Sequence, residues 1–163
     1  MLLAISIIIF VIFFWMFYTK FFGAEYQAVP SDVLRKMIKF SDLKKNDIVY
    51  DLGCGDGKIL LASAKHCRKA TGIEIDPIRC FIAKIKTRKM NNVEIVRGNF
   101  FQQNLQDADV IFIFLRQETN DRLEGKFLKE LKKGTKIVSH CWKLSLKPYK
   151  QDEKLKVYAY RLS

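Results

Sequence analysis

The stretch YDLGCGDGK, at positions 50–58, determines the fold prediction for this chain of 163 residues. It follows the apolar pair Ile48 and Val49, and it carries glycines at positions 53, 55 and 57. Glycines let the backbone turn sharply and approach a ligand without an intervening β-carbon. Asp51, two positions before the first glycine, is placed to accept hydrogen bonds from a cationic amine. The stretch therefore predicts a strand, a turn and a helix that together bind a small ligand.

Two alternatives explain this stretch less well. A dinucleotide-binding turn follows the pattern G-x-G-x-x-G and requires glycine at position 58, where Lys58 stands. An ordinary βα turn without a ligand explains the glycines, but it does not explain an acid in front of them at the end of an apolar strand. We therefore favour a ligand with a positively charged group near Asp51.

Short apolar runs alternate with charged helical stretches along the rest of the chain. Helices are predicted at 31–40, 58–66, 77–89 and 118–133, with Ser31 and Asp76 as N-caps and Gly134 ending the last helix. Strands are predicted at 47–52, 70–76, 93–98, 109–115, 135–142 and 154–162, and the only loose stretch at 147–154. This alternation indicates an α/β fold with a Rossmann-like, doubly wound, mostly parallel sheet and a late antiparallel strand, preceded by one hydrophobic N-terminal helix.

Polar residues also follow the second and third predicted strands. Glu74 lies 17 positions after Gly57, where an acid can bind ribose hydroxyls with two hydrogen bonds. Asn99 and Phe100 follow the third strand, where an amide can read the edge of an adenine and a ring can stack on its face. A plain core position is an equal alternative for Phe100. Because the ends of adjacent parallel strands meet in one crevice, we expect these residues to converge.

The motifs DLGCGDG, GIEID and GNFF resemble those of the class I, or seven-β-strand, S-adenosylmethionine (SAM)-dependent methyltransferases. The segments Val29-Pro30-Ser31 and KKGTKIVSH extend the resemblance to the small archaeal protein-lysine methyltransferases and their membrane-anchored mitochondrial relatives. The resemblance covers residues 25–163 and implies SAM as cofactor and a lysine side chain of a protein as substrate. It places the SAM-binding residues at Pro30, Ser31, Asp51, Leu52, Gly53, Cys54, Gly55, Gly57, Glu74, Ile75, Asn99 and Phe100.

Lysine methylation requires a group that takes a proton from the substrate amine, and the sequence shows no dedicated base. We name Ser139 and His140, at the end of the fifth predicted strand, as catalytic candidates. The backbone carbonyls of Phe114 and Leu115 are further candidates, and a structural role for His140 is an equal alternative. The tail after Trp142 is short, so we expect an abbreviated last hairpin.

The N-terminal segment differs from the rest of the sequence in having no charged side chain over residues 1–19. Residues 2–18 read LLAISIIIFVIFFWMFY, and the first 19 residues would form a helix of roughly 28 Å, close to the thickness of a bilayer core. No basic residue precedes this run, which argues against a cleaved signal peptide. We predict a single-pass anchor over 1–22 and a methyltransferase domain over 23–163. The lysine and arginine residues that follow from Lys20 on place that domain on the cytoplasmic side, or the matrix side in a mitochondrion.

The composition limits the remaining function classes. The net charge of +12 suggests an anionic neighbour, either lipid or nucleic acid, or simply a well-solvated basic surface. The four cysteines and two histidines form no metal-ligand spacing, so we expect no metal site. The residues after the fourth strand lack the motifs of adenine and cytosine methylation, so nucleic acid is not the expected partner. A small-molecule or lipid methyltransferase, an RNA methyltransferase and a degenerate SAM-binding scaffold remain alternatives, and we expect a monomer.

Overall fold

The computed structural model describes residues 27–163 without a gap, together with the helical residues 5–7, 9, 10 and 13. Most of the predicted anchor over 1–22 lies outside the described residues, so the division into an anchor and a domain stays a prediction. Among the residues that are described, no helix combines the length and apolar content needed to cross a membrane. Ile5, Ile7 and Ile9 are exposed and belong to neither hydrophobic core of the domain.

Helices and strands alternate through the domain, as the sequence predicts. Their order and bounds are α1 (Ser31–Ser41), β1 (Ile48–Leu52), α2 (Lys58–Ser63), β2 (Lys69–Glu74), α3 (Pro77–Thr87), β3 (Val93–Arg97), a 3₁₀ turn (Phe100–Gln102), β4 (Val110–Ile113), α4 (Gln117–Glu130), β5 (Lys136–His140), β6 (Lys150–Asp152) and β7 (Val157–Arg161).

The strands form one seven-stranded sheet in the order β3-β2-β1-β4-β5-β7-β6. The first five pair in parallel, whereas β7 runs antiparallel to both β5 and β6. The chain reverses its direction of travel across the sheet between β1 and β4, which opens a crevice at their carboxyl ends. This architecture confirms the predicted Rossmann-like α/β fold with a late antiparallel strand.

Two hydrophobic cores lie on opposite faces of the sheet. Helices α1 and α2 bury Met37 and Leu60 in one core, whereas α4 buries Leu123 and Phe127 in the other. All four residues of β4 are buried, as expected for an apolar run covered on both faces. Helix α3 packs beside the start of α2. The approach is close: a β-carbon on Gly57 would lie 3.4 Å from the Cβ of Ala83.

The helix ends agree with the sequence prediction only in part. Asp76 is confirmed as an N-cap, because its Oδ1 accepts hydrogen bonds from the backbone N–H groups of Ile78 and Arg79, both at 2.9 Å. The N-cap assignment of Ser31 is wrong: Ser31 is the first helical residue, and Pro30 precedes it without a side-chain cap. Helix α4 ends at Glu130, before Gly134, because the chain is already extended at Leu131.

The predicted loose stretch at 147–154 contains a strand, β6, that the sequence analysis missed. β6 pairs with β7 and completes the last hairpin at the edge of the sheet. Its three residues, KQD, show no alternation of apolar and polar side chains. An edge strand needs only backbone pairing along one side, so the periodicity that identifies buried strands is absent here.

Candidate functional site

A cleft of about 520 Å³ lies at the carboxyl ends of the central strands, where the crevice was predicted. Its walls come from the segment before α1, the glycine turn, the end of β2, the 3₁₀ turn and the chain after β4. The lining residues are Gln27, Val29, Asp51, Gly53, Cys54, Gly55, Asp56, Lys58, Ile59, Glu74, Ile75, Asp76, Arg79, Asn99, Phe100, Phe101, Phe114, Leu115, Arg116, Thr119 and Arg122.

The glycine turn is held against the neighbouring strand by backbone hydrogen bonds. The N–H groups of Gly53 and Cys54 both donate to the carbonyl of Ile73, at 2.9 and 3.1 Å. Gly57 has a φ of +81°, a conformation that favours glycine, and it precedes the first residue of α2. Gly53, Cys54 and Gly55 line the cleft, whereas Gly57 stands outside its lining and shapes the start of the helix.

Gly72, in the middle of β2, leaves the room that the turn occupies. A β-carbon at this position would lie 2.4 Å from Leu60 Cδ1 and 2.7 Å from Cys54 Sγ. Both distances are too short for carbon and sulfur atoms, so a larger residue would force the side chains of Leu60 and Cys54 to shift. The motif GIEID begins with Gly72, but its neighbours Leu60 and Cys54 lie far from it in sequence, so no local pattern predicts this role.

Asp51 contributes a buried carboxylate to the floor of the cleft. Only 2% of the residue is exposed, and within the described chain its Oδ2 atom has no hydrogen-bond partner. Burial, together with the nearby carboxylates of Glu74 and Asp56, raises the pKa of Asp51 from 3.8 to about 8. An unsatisfied buried acceptor of this kind is costly, and a cationic donor entering the cleft would relieve the cost. Leu52, the next residue, is buried in the core and is not part of the lining.

Glu74 links the end of β2 to the glycine turn. Its Oε2 atom accepts a hydrogen bond from the Gly55 N–H at 2.9 Å, and its Oε1 atom accepts one from the Asp76 N–H at 2.8 Å. These bonds fix the carboxylate, which is 5% exposed, at the edge of the cleft. Each carboxylate oxygen has two lone pairs, so both can accept a further hydrogen bond from a hydroxyl group. Ile75, which follows, also lines the cleft and is exposed.

Asn99 and Phe100 form the wall that follows β3. The side-chain oxygen of Asn99 accepts a hydrogen bond from the Phe101 N–H at 2.9 Å and so begins the 3₁₀ turn. The side-chain NH₂ group is then the donor that Asn99 can offer a ligand. The Phe100 and Phe101 rings lie 4.9 Å apart, and the Arg122 guanidinium stands 4.4 Å from the Phe101 ring. This wall therefore presents the aromatic rings of Phe100 and Phe101, with the Arg122 guanidinium packed against Phe101.

The segment before α1 is fastened over the cleft by Lys58. The Lys58 Nζ atom donates a hydrogen bond to the carbonyl oxygen of Val29 at 2.5 Å. Gln27 and Val29 line the cleft, whereas the predicted cofactor-binding residues Pro30 and Ser31 follow them outside the lining. The part of this segment that lines the cleft therefore lies a few residues before the positions predicted from the sequence.

The catalytic candidates Ser139 and His140 lie behind the cleft wall rather than in it. The Ser139 hydroxyl is buried and donates to the Trp142 carbonyl. The His140 ring lies 4.5 Å from the ring of Phe114, which does line the cleft, and its Nδ1 atom is 3.1 Å from the Lys156 carbonyl oxygen. Burial lowers the pKa of His140, so the ring is neutral near pH 7. Through its ring contact with Phe114, His140 can position that side chain in the cleft wall.

Several lining residues were not predicted as site residues. Arg116 directly precedes α4, and Thr119 and Arg122 lie in its first two turns. They match no motif, and only their position after a central strand at the point where the strand order reverses could have identified them. Lys58 was noted only because it breaks the dinucleotide pattern.

Comparison with known proteins identifies this arrangement. The family described as the ANTKMT methyltransferase domain matches residues 51–150. A protein-lysine N-methyltransferase of Saccharolobus islandicus is 42% identical over 120 residues, which cover 71% of this chain and 74% of that protein. An RNA methyltransferase from Salinibacter ruber, solved in complex with S-adenosyl-L-homocysteine, has a TM-score of 0.79 and 28% identity, and the match covers 83% of this chain and 94% of that one.

Proposed function

Because the chain belongs to the ANTKMT methyltransferase family and is a SAM-dependent methyltransferase of class I fold, we propose that it methylates lysine side chains of a protein substrate. The observation that carries the proposal is the 42% identity to a protein-lysine N-methyltransferase over 120 residues. The family assignment and the cofactor agree with the resemblance identified in the sequence.

The residues of the cleft fit SAM. The unpartnered Oδ2 atom of Asp51 is suited to the cationic amine of the methionine part, and Glu74 retains lone pairs for the two ribose hydroxyls. Asn99 and Phe100 would bind the adenine through the amide NH₂ group and the aromatic face. When bound, SAM supplies a methyl group that its sulfonium has already activated.

The chain's own residues would orient the acceptor amine and exclude water. A lysine with a free pKa of about 10.4 must first lose a proton, which costs about 4.6 kcal/mol at pH 7. Phe114 and Leu115 line the cleft beside the glycine turn and supply an apolar wall that disfavours the charged amine. His140 would hold that wall through its contact with Phe114, and the assignment of Ser139 or His140 as the proton acceptor stays a prediction.

We further propose that the segment 1–22 anchors the enzyme, a monomer, in a membrane with domain 23–163 on the cytoplasmic or matrix side. The uncharged run over 2–18 and the exposure of Ile5, Ile7 and Ile9 support this location. We expect the full-length protein to stay with membranes after a carbonate wash and the protein lacking residues 1–22 to be soluble. Recovery of the full-length protein in the soluble fraction without detergent would contradict the anchor.

The substrate class is tested by following the methyl group. Purified full-length protein and methyl-labelled SAM at low concentration are added to a lysate of the source organism, with the Glu74→Ala variant, which should bind SAM more weakly, as the matched control. We expect label on lysine residues of membrane-fraction proteins, and much more of it with the unmodified enzyme than with the variant. Label confined to RNA, lipid or small molecules would reject lysine methylation and leave the methyltransferase assignment intact.

RNA is the second candidate substrate, because one specific observation favours it. The Salinibacter ruber RNA methyltransferase matches 83% of this chain, and the net charge of +12 suits a polyanion. The same labelling experiment separates the two candidates, since RNA methylation would survive protease treatment and be lost with ribonuclease.

A further inference from the structure

Helix α3 carries an apolar stripe on its outer face. The stripe consists of Ile78, Phe81, Ile82 and Ile85, which recur at the spacing of one helix face. Each of these side chains is between 38% and 64% exposed. The face that packs against the domain instead carries the small residues Cys80, Ala83 and Thr87. The helix therefore turns its bulky apolar side chains away from the core, which is the reverse of an ordinary surface helix.

Basic residues border the stripe on both sides. With about 3.6 residues per turn, Lys84 and Arg88 fall along one edge of the stripe and Arg79 and Lys86 along the other. Lys86 forms an ion pair with Asp56 at 2.5 Å, whereas Lys84 and Arg88 are exposed at the surface. An apolar face between rows of lysine and arginine is the pattern of a helix that lies in the surface of an anionic membrane.

The stripe begins at the rim of the cofactor cleft. Asp76 caps α3 and lines the cleft, together with its neighbours Ile75 and Arg79. Ile75 is 63% exposed, so apolar surface extends from the stripe to the cleft. Whatever covers the stripe therefore also lies beside the rim of the cofactor cleft at the end of β2.

We propose that the stripe and its basic border insert into the surface of a bilayer that contains anionic lipid and hold the cleft at that surface. This inference rests on the proposed membrane location and assigns to α3 a contact separate from the N-terminal segment. A second copy of the chain fits the stripe poorly, because pairing two stripes would bring the same lysine and arginine rows together. Anionic headgroups complement these rows, and the acyl region receives Ile78, Phe81, Ile82 and Ile85.

Tryptophan fluorescence in the full-length protein tests the contact. The stripe reporter is Phe81→Trp, in a background with Trp15→Phe and Trp142→Phe, reconstituted in vesicles of brominated phosphatidylcholine with or without phosphatidylglycerol. The control reporter, in the same background, is Leu128→Trp, because Leu128 is 62% exposed on α4, the helix of the opposite core. A third protein keeps only Trp15 and reports on the N-terminal segment.

We expect bromine to quench the stripe reporter several-fold more than the control reporter, with a blue-shifted emission, and only in vesicles with phosphatidylglycerol. Rising salt should reduce the quenching, because it screens the basic border. Equal quenching of both reporters, or none of the stripe reporter, would overturn the proposal and leave the stripe to a protein partner. Quenching of the stripe reporter without phosphatidylglycerol would overturn the role of the basic border. Quenching of Trp15 with an unquenched stripe reporter would reject the α3 contact while keeping the anchor, and neither result bears on lysine methylation.

Discussion

Replacing Asp51 by asparagine should make the cofactor-free domain more stable while weakening cofactor binding. The substitution keeps the size of the side chain and removes a charge that is 2% exposed. In the folded protein the pKa of Asp51 is about 8, against 3.8 as the ordinary value, so folding takes up a proton between these pH values. The carboxylate therefore lowers stability increasingly as pH rises through this window, and its full effect is reached above pH 8.

The size of the effect follows from the two pKa values. The difference between 3.8 and about 8 corresponds to at most about 6 kcal/mol. Relaxation of the surrounding groups around the charge reduces this, so we expect Asp51→Asn to raise the free energy of unfolding at pH 8 by about 1–3 kcal/mol. The gain should vanish below pH 4, where the carboxyl group is neutral in both states. Binding of SAM or S-adenosylhomocysteine should weaken by about 1–3 kcal/mol, because a charge-assisted hydrogen bond is lost.

Urea denaturation of domain 23–163 at pH 4 and pH 8 measures the stability, and calorimetry with S-adenosylhomocysteine measures the affinity. The matched control is Glu74→Gln, which sets an amide NH₂ group against the N–H of Gly55 or Asp76. That variant should be less stable at both pH values. An Asp51→Asn domain that is no more stable at pH 8, or that binds the cofactor with unchanged affinity, would refute the reasoning.

Three further predictions concern the surroundings of the cleft. Gly72→Ala should lower the free energy of unfolding by about 1–3 kcal/mol in urea denaturation, whereas Gly125→Ala, with nothing within 4 Å of the added carbon, should be neutral or stabilising. Lys58→Met should raise the KM for SAM with little change in Tm, because it releases Val29. His140→Ala should lower kcat roughly ten- to hundredfold by displacing Phe114, with SAM affinity unchanged. Loss of the acidic limb of the kcat–pH profile would show that His140 is the base, and unchanged kcat would contradict both roles.

The sequence predicted the centre of the site because a parallel sheet brings strand ends together. Glu74 ends β2, Asp51 lies one residue before the end of β1, and Asn99 follows β3, so strand order alone brought them to one cleft. Arg116 and Arg122 were missed because their position depends on how α4 packs, which no short motif specifies. Gly72 was missed for a related reason, since its role lies in contacts with Leu60 and Cys54.

Two local predictions failed where backbone geometry outweighed side-chain preference. Ser31 is a favourable N-cap residue, but helix α1 begins one residue earlier than that assignment allows, at the hydrogen bond from the Leu34 N–H to the Pro30 carbonyl. Strand β6 is held by pairing with β7 rather than by any apolar pattern of its own. The N-terminal anchor stays a prediction from composition.

Lys58 both distinguishes the glycine turn from a dinucleotide-binding turn and holds the segment before α1 in place. The absence of glycine at position 58 separates this turn from a dinucleotide-binding one, and the same side chain fastens Val29 over the cleft. The first residue of α2 therefore links the glycine turn to the segment that covers the cleft. Replacing Lys58 by glycine would therefore restore the dinucleotide pattern and release Val29 in one step, whereas Lys58→Met would only release Val29.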